Sequence, residues 1–147
     1  MTVVKLFYKF VTLLKLIAVI IEKTNNKPFV YLSVENSTFE IKGSSYSKSV
    51  GEIYQNIILW IDKQLPDFKG VLNCVFYFDM MNTVSNKCLM EIFSKFSYYI
   101  DHGKELNITW YYDEDDEDIM EIAESISKLY KIPIEIKETK KRGQVPE

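Results

Sequence analysis

Histidine occurs once in the 147 residues and cysteine only twice, so the side chains that most often hold transition metals are nearly missing. Cys74 and Cys88 have neither CxxC spacing nor histidine companions, which fits buried thiols of a reducing cytoplasm rather than a zinc site or a disulfide. No metal and no cofactor is expected. His102 stands beside Gly103 at an expected helix end, where a cation is favoured, and not within a catalytic set. There is no P-loop, no dinucleotide fingerprint and no Ser/His/Asp or Cys/His constellation. The 18 basic and 21 acidic residues give a net charge of −3 without a basic stripe, which argues against nucleic acid as a partner. The apolar run at the amino end is broken by Lys15, too soon for a spanning helix of ~20 residues. The same lysine spoils a signal-peptide core, and no small-x-small cleavage site follows it. A cytoplasmic protein without catalysis of its own is the expectation.

Aromatic side chains are plentiful: ten Tyr, nine Phe and two Trp within an apolar content of 47%. That supply suits one globular domain with a filled core. Val71 to Phe78 is a β-branched and aromatic run and reads as a central, buried strand. After Asp79 to Lys87 the period changes from two to 3.6, placing Leu89, Ile92, Phe93, Phe96 and Ile100 on one helical face. Upstream, Phe29–Val34 and Thr38–Gly43 flank the turn Glu35-Asn36-Ser37 as a hairpin. Ser49 and Glu52 make a capping-box pattern for a helix that carries Ile53, Ile57 and Ile61 and stops before Pro66. Downstream, Leu106, Ile108 and Trp110 alternate with polar residues as a strand. A helix with Ile119, Ile122 and Ile126 follows, then an edge strand from Pro133 to Lys137. The order β-β-α-β-α-β-α-β predicts a single α/β domain, a mixed sheet with about three packed helices. The domain is placed at residues 22–138, between an apolar N-terminal extension over 1–21, read as helical, and a polar tail over 139–147, expected to be disordered. In the extension Lys5, Tyr8, Lys9, Thr12 and Lys15 share one narrow helical face. It reads as a helix packed on the domain or on a copy of itself, as a membrane-surface helix, or as a weakly ordered addition. Peripheral membrane contact, or an oligomeric scaffold acting through residues 1–21, is therefore the alternative function.

Asn82-Thr83-Val84-Ser85 lies where the buried strand meets a helix N-terminus. These residue types cap helices, since their side chains accept from the first unpaired amides. The same place suits a phosphate on Thr83 or Ser85, because the helix dipole favours an anion there. Asp79 and Lys87 could tune such a site. A partner could dock on Met80, Met81 and Val84, and a phosphate buried in that contact would release it. The run Asp113 to Asp118 lacks the glycine and distal glutamate of a calcium loop. It reads as a solvated helix start or an acidic partner-facing patch.

These segments resemble one family. Gly43-Ser44-Ser45-Tyr46, Ile53-Tyr54 with Trp60, Asn82 to Lys87, and above all Trp110-Tyr111-Tyr112 followed by the acidic run are similar to SiaC-type bacterial regulatory phosphoproteins. The similarity spans about Ile21 to Lys137. It implies a STAS-like (anti-sigma-factor-antagonist) fold and a non-enzymatic switch in signal transduction. A serine/threonine kinase would phosphorylate the switch and a PP2C-type phosphatase would reverse it, with partner switching as the result. The unphosphorylated form would bind an effector such as a diguanylate cyclase, linking it to cyclic di-GMP and biofilm regulation. By position Thr83 matches the phosphoacceptor, with Ser85 as the alternative. Met80, Met81, Val84, Trp110, Tyr111, Tyr112, Asp113, Asp115 and Asp116 are the expected partner-binding residues. Val84 stands where the family tends to have serine, Met80-Met81 replace an aromatic pair, and Ser47-Lys48 replace Pro-Glu.

Overall fold

The structure, a computed structural model, describes residues 2–9, 18–140 and 142–145. Residues 3–9 are helical (α1), as expected of the extension. Residues 10–17, with Thr12 and Lys15 of the expected narrow face, lie outside the described residues. The six strands are β1 (Ala18–Ile21), β2 (Phe29–Ser33), β3 (Thr38–Ser45), β4 (Val71–Met81), β5 (Glu105–Tyr112) and β6 (Glu135–Glu138). Helices α2 (Val50–Gln64), α3 (Thr83–Asp101) and α4 (Glu117–Tyr130) connect the last four. The expected order therefore holds from β2 onward. Ala18–Ile21 departs from it: expected at the end of a helical extension, it pairs antiparallel with β2 as an edge strand, Ala18 opposite Ser33 and Ile21 opposite Val30.

The strands lie in the sheet in chain order, β1 to β6. β1, β2 and β3 are antiparallel, and β3, β4, β5 and β6 run parallel. Parallel neighbours need crossovers, and each is supplied by one helix. All steps go the same way across the sheet, so the helices cover one face. Alternate strand residues face them: Val30 and Leu32, Phe39 and Ile41, Leu72, Cys74, Phe76 and Phe78, Ile108 and Trp110 form one core with the helices. The opposite face carries transverse rows such as Tyr31, Glu40, Val75, Thr109 and Glu135.

Parallel strands with helical crossovers gather the carboxyl ends of β3, β4, β5 and β6 along one edge. The amino ends of α2, α3 and α4 lie on that same edge. The register shifts between Gly43 and Ser44, so that Gly43 pairs with Phe78 and Ser44 with Met80, leaving Asp79 without an opposite number. Gly43 meets this with a φ of 114°, which side-chain-bearing residues rarely adopt.

Candidate functional site

β4 runs three residues past the expected strand, through Asp79, Met80 and Met81, and α3 begins at Thr83. Asn82 alone makes the join. Its Oδ1 accepts the Ser85 N–H at 2.8 Å and its own N–H donates to the Ser45 carbonyl at 3.1 Å. The helix-cap reading is thus correct for Asn82. An Asn82→Ala change should lower stability by about 1 kcal/mol. Thermal melts should show it as a fall of roughly 2–4 °C, with the fold retained.

Thr83 is exposed at the first position of α3, while Ser85 is fully buried. Three hydroxyls are linked behind the join. Ser85 Oγ lies 2.7 Å from the Ser45 carbonyl and 2.7 Å from Ser45 Oγ, which is 2.9 Å from the Tyr54 hydroxyl. One assignment uses every proton: Tyr54 donates to Ser45, Ser45 to Ser85, and Ser85 to the Ser45 carbonyl. Burial outweighs the Ser45 and Ser85 contacts and pushes the Tyr54 hydroxyl up, so it stays a donor. Ser85, the alternative acceptor, is tied into the core, and a phosphate on it would have to displace the chain of hydroxyls. Its place in the core was readable from its helical spacing with Leu89 and Ile92. The roles of Ser45 and Tyr54 carried no comparable signal.

Asp79, half-buried at the register shift, accepts the Ser44 hydroxyl at 2.6 Å. Lys87 is exposed one helical turn after Thr83, within reach of a group on it. Met80 and Val84 are exposed by 56% and 45%, and Met81 is half-buried against the core. An ideal Cβ on Gly51 would stand 3.8 Å from Val84 Cγ1, which sets the starts of α2 and α3 side by side. Ser49 precedes α2, but the capping box does not form. The Ser49 hydroxyl lies 3.1 Å from that of Ser47, and no side chain caps the helix.

The strip at the end of β5 divides. Trp110, expected to bind a partner, is fully buried in the core and stacks on Phe76 at 5.5 Å. Tyr111 and Tyr112 are half-exposed, on opposite faces of the strand. Asp113 is only 1% exposed and bonded internally. It accepts the Tyr77 hydroxyl at 2.7 Å, the Thr139 hydroxyl at 2.8 Å and the Gly143 N–H at 3.1 Å. In the tail expected to be disordered, Thr139 is buried and the Gly143 N–H is bonded to Asp113. Residues 141, 146 and 147 lie outside the described residues. Asp115 is exposed, and Asp116 is half-buried with Arg142 Nη2 at 4.0 Å.

Among the described residues no group of three or more His, Cys, Asp and Glu side chains could hold a metal ion. A cavity of about 760 Å³ bounded by Asn73, Leu106, Asn107, Ile134 and Glu135 sits at the amino ends of β4 and β5, opposite the Thr83 edge. No described helix is long and apolar enough to cross a membrane.

Comparison with known proteins agrees with this architecture. The sequence model of the SiaC family regulatory phosphoproteins matches residues 21–139. An uncharacterised protein of Pseudomonas aeruginosa (strain UCBPP-PA14) is 24% identical over 113 residues, covering 77% of this chain and 90% of that protein. The structure of SiaC of Pseudomonas aeruginosa superposes with a TM-score of 0.76 at 22% identity, over 83% of this chain and 98% of that one. In the complex of the diguanylate cyclase SiaD with its activator SiaC, from the same organism, the matched chain gives a TM-score of 0.76 at 23% identity. It covers 82% of this chain and 99% of its own length.

Proposed function

From this chain's membership of the SiaC family of regulatory phosphoproteins, we propose that it is the switch protein of a phosphorylation circuit and that Thr83 is its phosphoacceptor. The observation that carries the assignment is the contrast within one helical turn. Thr83 is exposed at the start of α3, and Ser85 is sealed in the hydroxyl chain. A kinase can reach the first and not the second.

The geometry gives each state a consequence. Unmodified, the edge presents Met80, Val84 and half-buried Met81 around a small hydroxyl, a surface an apolar partner can cover. A phosphate on Thr83 adds about −1.5 to −2 charges. The α3 dipole and Lys87, one turn on, stabilise it in the uncomplexed protein. Inside an apolar contact the same dianion loses its water, a cost that one lysine at the rim does not offset, so the partner leaves. Tyr111 and Tyr112 end the neighbouring strand, and Asp115 and Asp116 follow it before α4, so that they extend the contact on the same edge. Their partner is an effector protein such as a diguanylate cyclase, which this chain regulates without chemistry of its own. That choice rests on SiaC of Pseudomonas aeruginosa, an activator of the diguanylate cyclase SiaD. A serine/threonine kinase writes the mark and a PP2C-type phosphatase removes it, in the cytoplasm.

Phosphosite mass spectrometry on protein from the native host, with and without phosphatase treatment, tests the acceptor. Phosphate should be found on Thr83 and not on Ser85. In binding assays with a diguanylate cyclase of that host, Thr83→Ala should bind like the unmodified chain. Thr83→Glu should bind at least about tenfold more weakly, or ~1.4 kcal/mol. Equal binding by both variants would refute the release mechanism, and phosphate on another residue would refute the acceptor.

A further inference from the structure

Exposed large apolar side chains are concentrated in α1. Val3 is 84% exposed, and Val4, Leu6, Phe7 and Tyr8 are each 60% exposed or more. At about 100° per residue these five span an arc of roughly 200°, with Lys5 and Lys9 one turn apart on the remaining side. Thr2 starts the helix: its Oγ1 accepts the Lys5 N–H at 3.3 Å and its carbonyl accepts the Leu6 N–H at 3.1 Å. A single short helix is marginal in water, and one that buries none of its apolar side chains draws its stability from a surface that covers them.

Charge identifies that surface. The first 21 residues contain Lys5, Lys9 and Lys15 and no acid, whereas the whole chain is at −3, so the remainder is more acidic still. The matched family region begins at residue 21, leaving α1 outside it. A two-helix seam between copies uses a narrow apolar stripe and would leave half of this arc in water. A lipid interface takes a broad apolar arc and holds lysines at headgroup level.

We propose that α1 is a peripheral anchor for anionic membrane surfaces, with Val3, Val4, Leu6 and Phe7 at the acyl boundary, Tyr8 at the margin where the apolar arc meets the lysine face, and Lys5 and Lys9 against lipid phosphates. The anchor adds a location to the protein and is independent of the Thr83 reading, which neither supports it nor falls with it.

The test is sedimentation of the full chain with vesicles of phosphatidylcholine alone and of phosphatidylcholine mixed with phosphatidylglycerol. The chain should pellet with the mixed vesicles and stay in the supernatant with the neutral ones. Phe7→Ser, and Lys5→Glu combined with Lys9→Glu, should each lower vesicle binding about tenfold or more. Both variants should melt at the same temperature as the unmodified chain, since α1 lies outside the core. Equal pelleting with both vesicle types, or undiminished pelleting of the variants, would overturn the proposal. So would a dimer by light scattering that Phe7→Ser dissolves, with no pelleting; a second copy would then be the occupant.

Discussion

Replacing Trp110 by alanine should cost about 3–5 kcal/mol of folding stability, the range for deleting a buried tryptophan or phenylalanine side chain. Its ring stacks on Phe76 with an interplanar angle of 20°, and lies 5.4 Å from Phe78 and 6.3 Å from Phe93, between centroids. Domains of this size are stable by about 5–15 kcal/mol, so the change removes about a fifth or more of the margin. Trp110→Phe is the informative companion. The indole Nε1 is buried with no acceptor among the described residues, so the smaller ring gives up no hydrogen bond to them. It should cost less than about 1.5 kcal/mol if neighbours close the gap. Urea unfolding followed by circular dichroism separates the two. A Trp110→Ala protein with an unchanged midpoint and a lost partner would return Trp110 to the binding surface.

Asp113→Ala should cost about 2–4 kcal/mol at neutral pH, because three donors lose one acceptor. The effect should also depend on pH in a defined direction. Burial by itself would raise the Asp113 carboxyl, but hydrogen bonds from Tyr77, Thr139 and Gly143, with the Arg142 charge, more than offset it and hold it below the usual value. A carboxylate lowered on folding contributes stability that is fully present above its unfolded pKa, about 3.9. That contribution is lost as pH falls through the folded value. The gap between unmodified and Asp113→Ala proteins should therefore be widest near pH 7 and narrow below about pH 4. Tyr77 does not confuse the measurement: burial first, then the Asp113 contact, pushes its hydroxyl up, so it stays a donor. Hydrogen exchange should in parallel show the Thr139 and Gly143 amides opening in the variant. Parallel pH profiles for the two proteins would contradict this account of the tie.

How much of this was legible depends on how far each residue's partners lie along the chain. The alternation in Thr38 to Lys42 and Leu106 to Trp110, and the helical spacing of Leu89, Ile92, Phe93 and Phe96, are local and gave their elements directly. Ala18–Ile21 is different. Its apolar run continues a helical period, and only pairing with Val30 to Ser33 makes it a strand. Asp113 hid for the same reason, with donors 36, 26 and 30 residues away. The burial of Trp110 and Ser85 was readable. Trp110 shares the alternation of Ile108, and Ser85 the helical face of Leu89, so both patterns pointed inward. A distinctive string such as Trp-Tyr-Tyr-Asp marks relatedness, and half of it here serves the interior.

Because each strand lies beside its predecessor in the chain, the sheet can be assembled in the order in which it is synthesised. No strand waits for a later one to be inserted between it and its neighbour, so each closure spans one helix and its turns. Short closures cost less chain entropy and speed folding. On a translating ribosome the growing edge would be β3, then β4, then β5, each bare only while the next helix and strand emerge. At about 5–20 residues per second that exposure lasts a few seconds per edge.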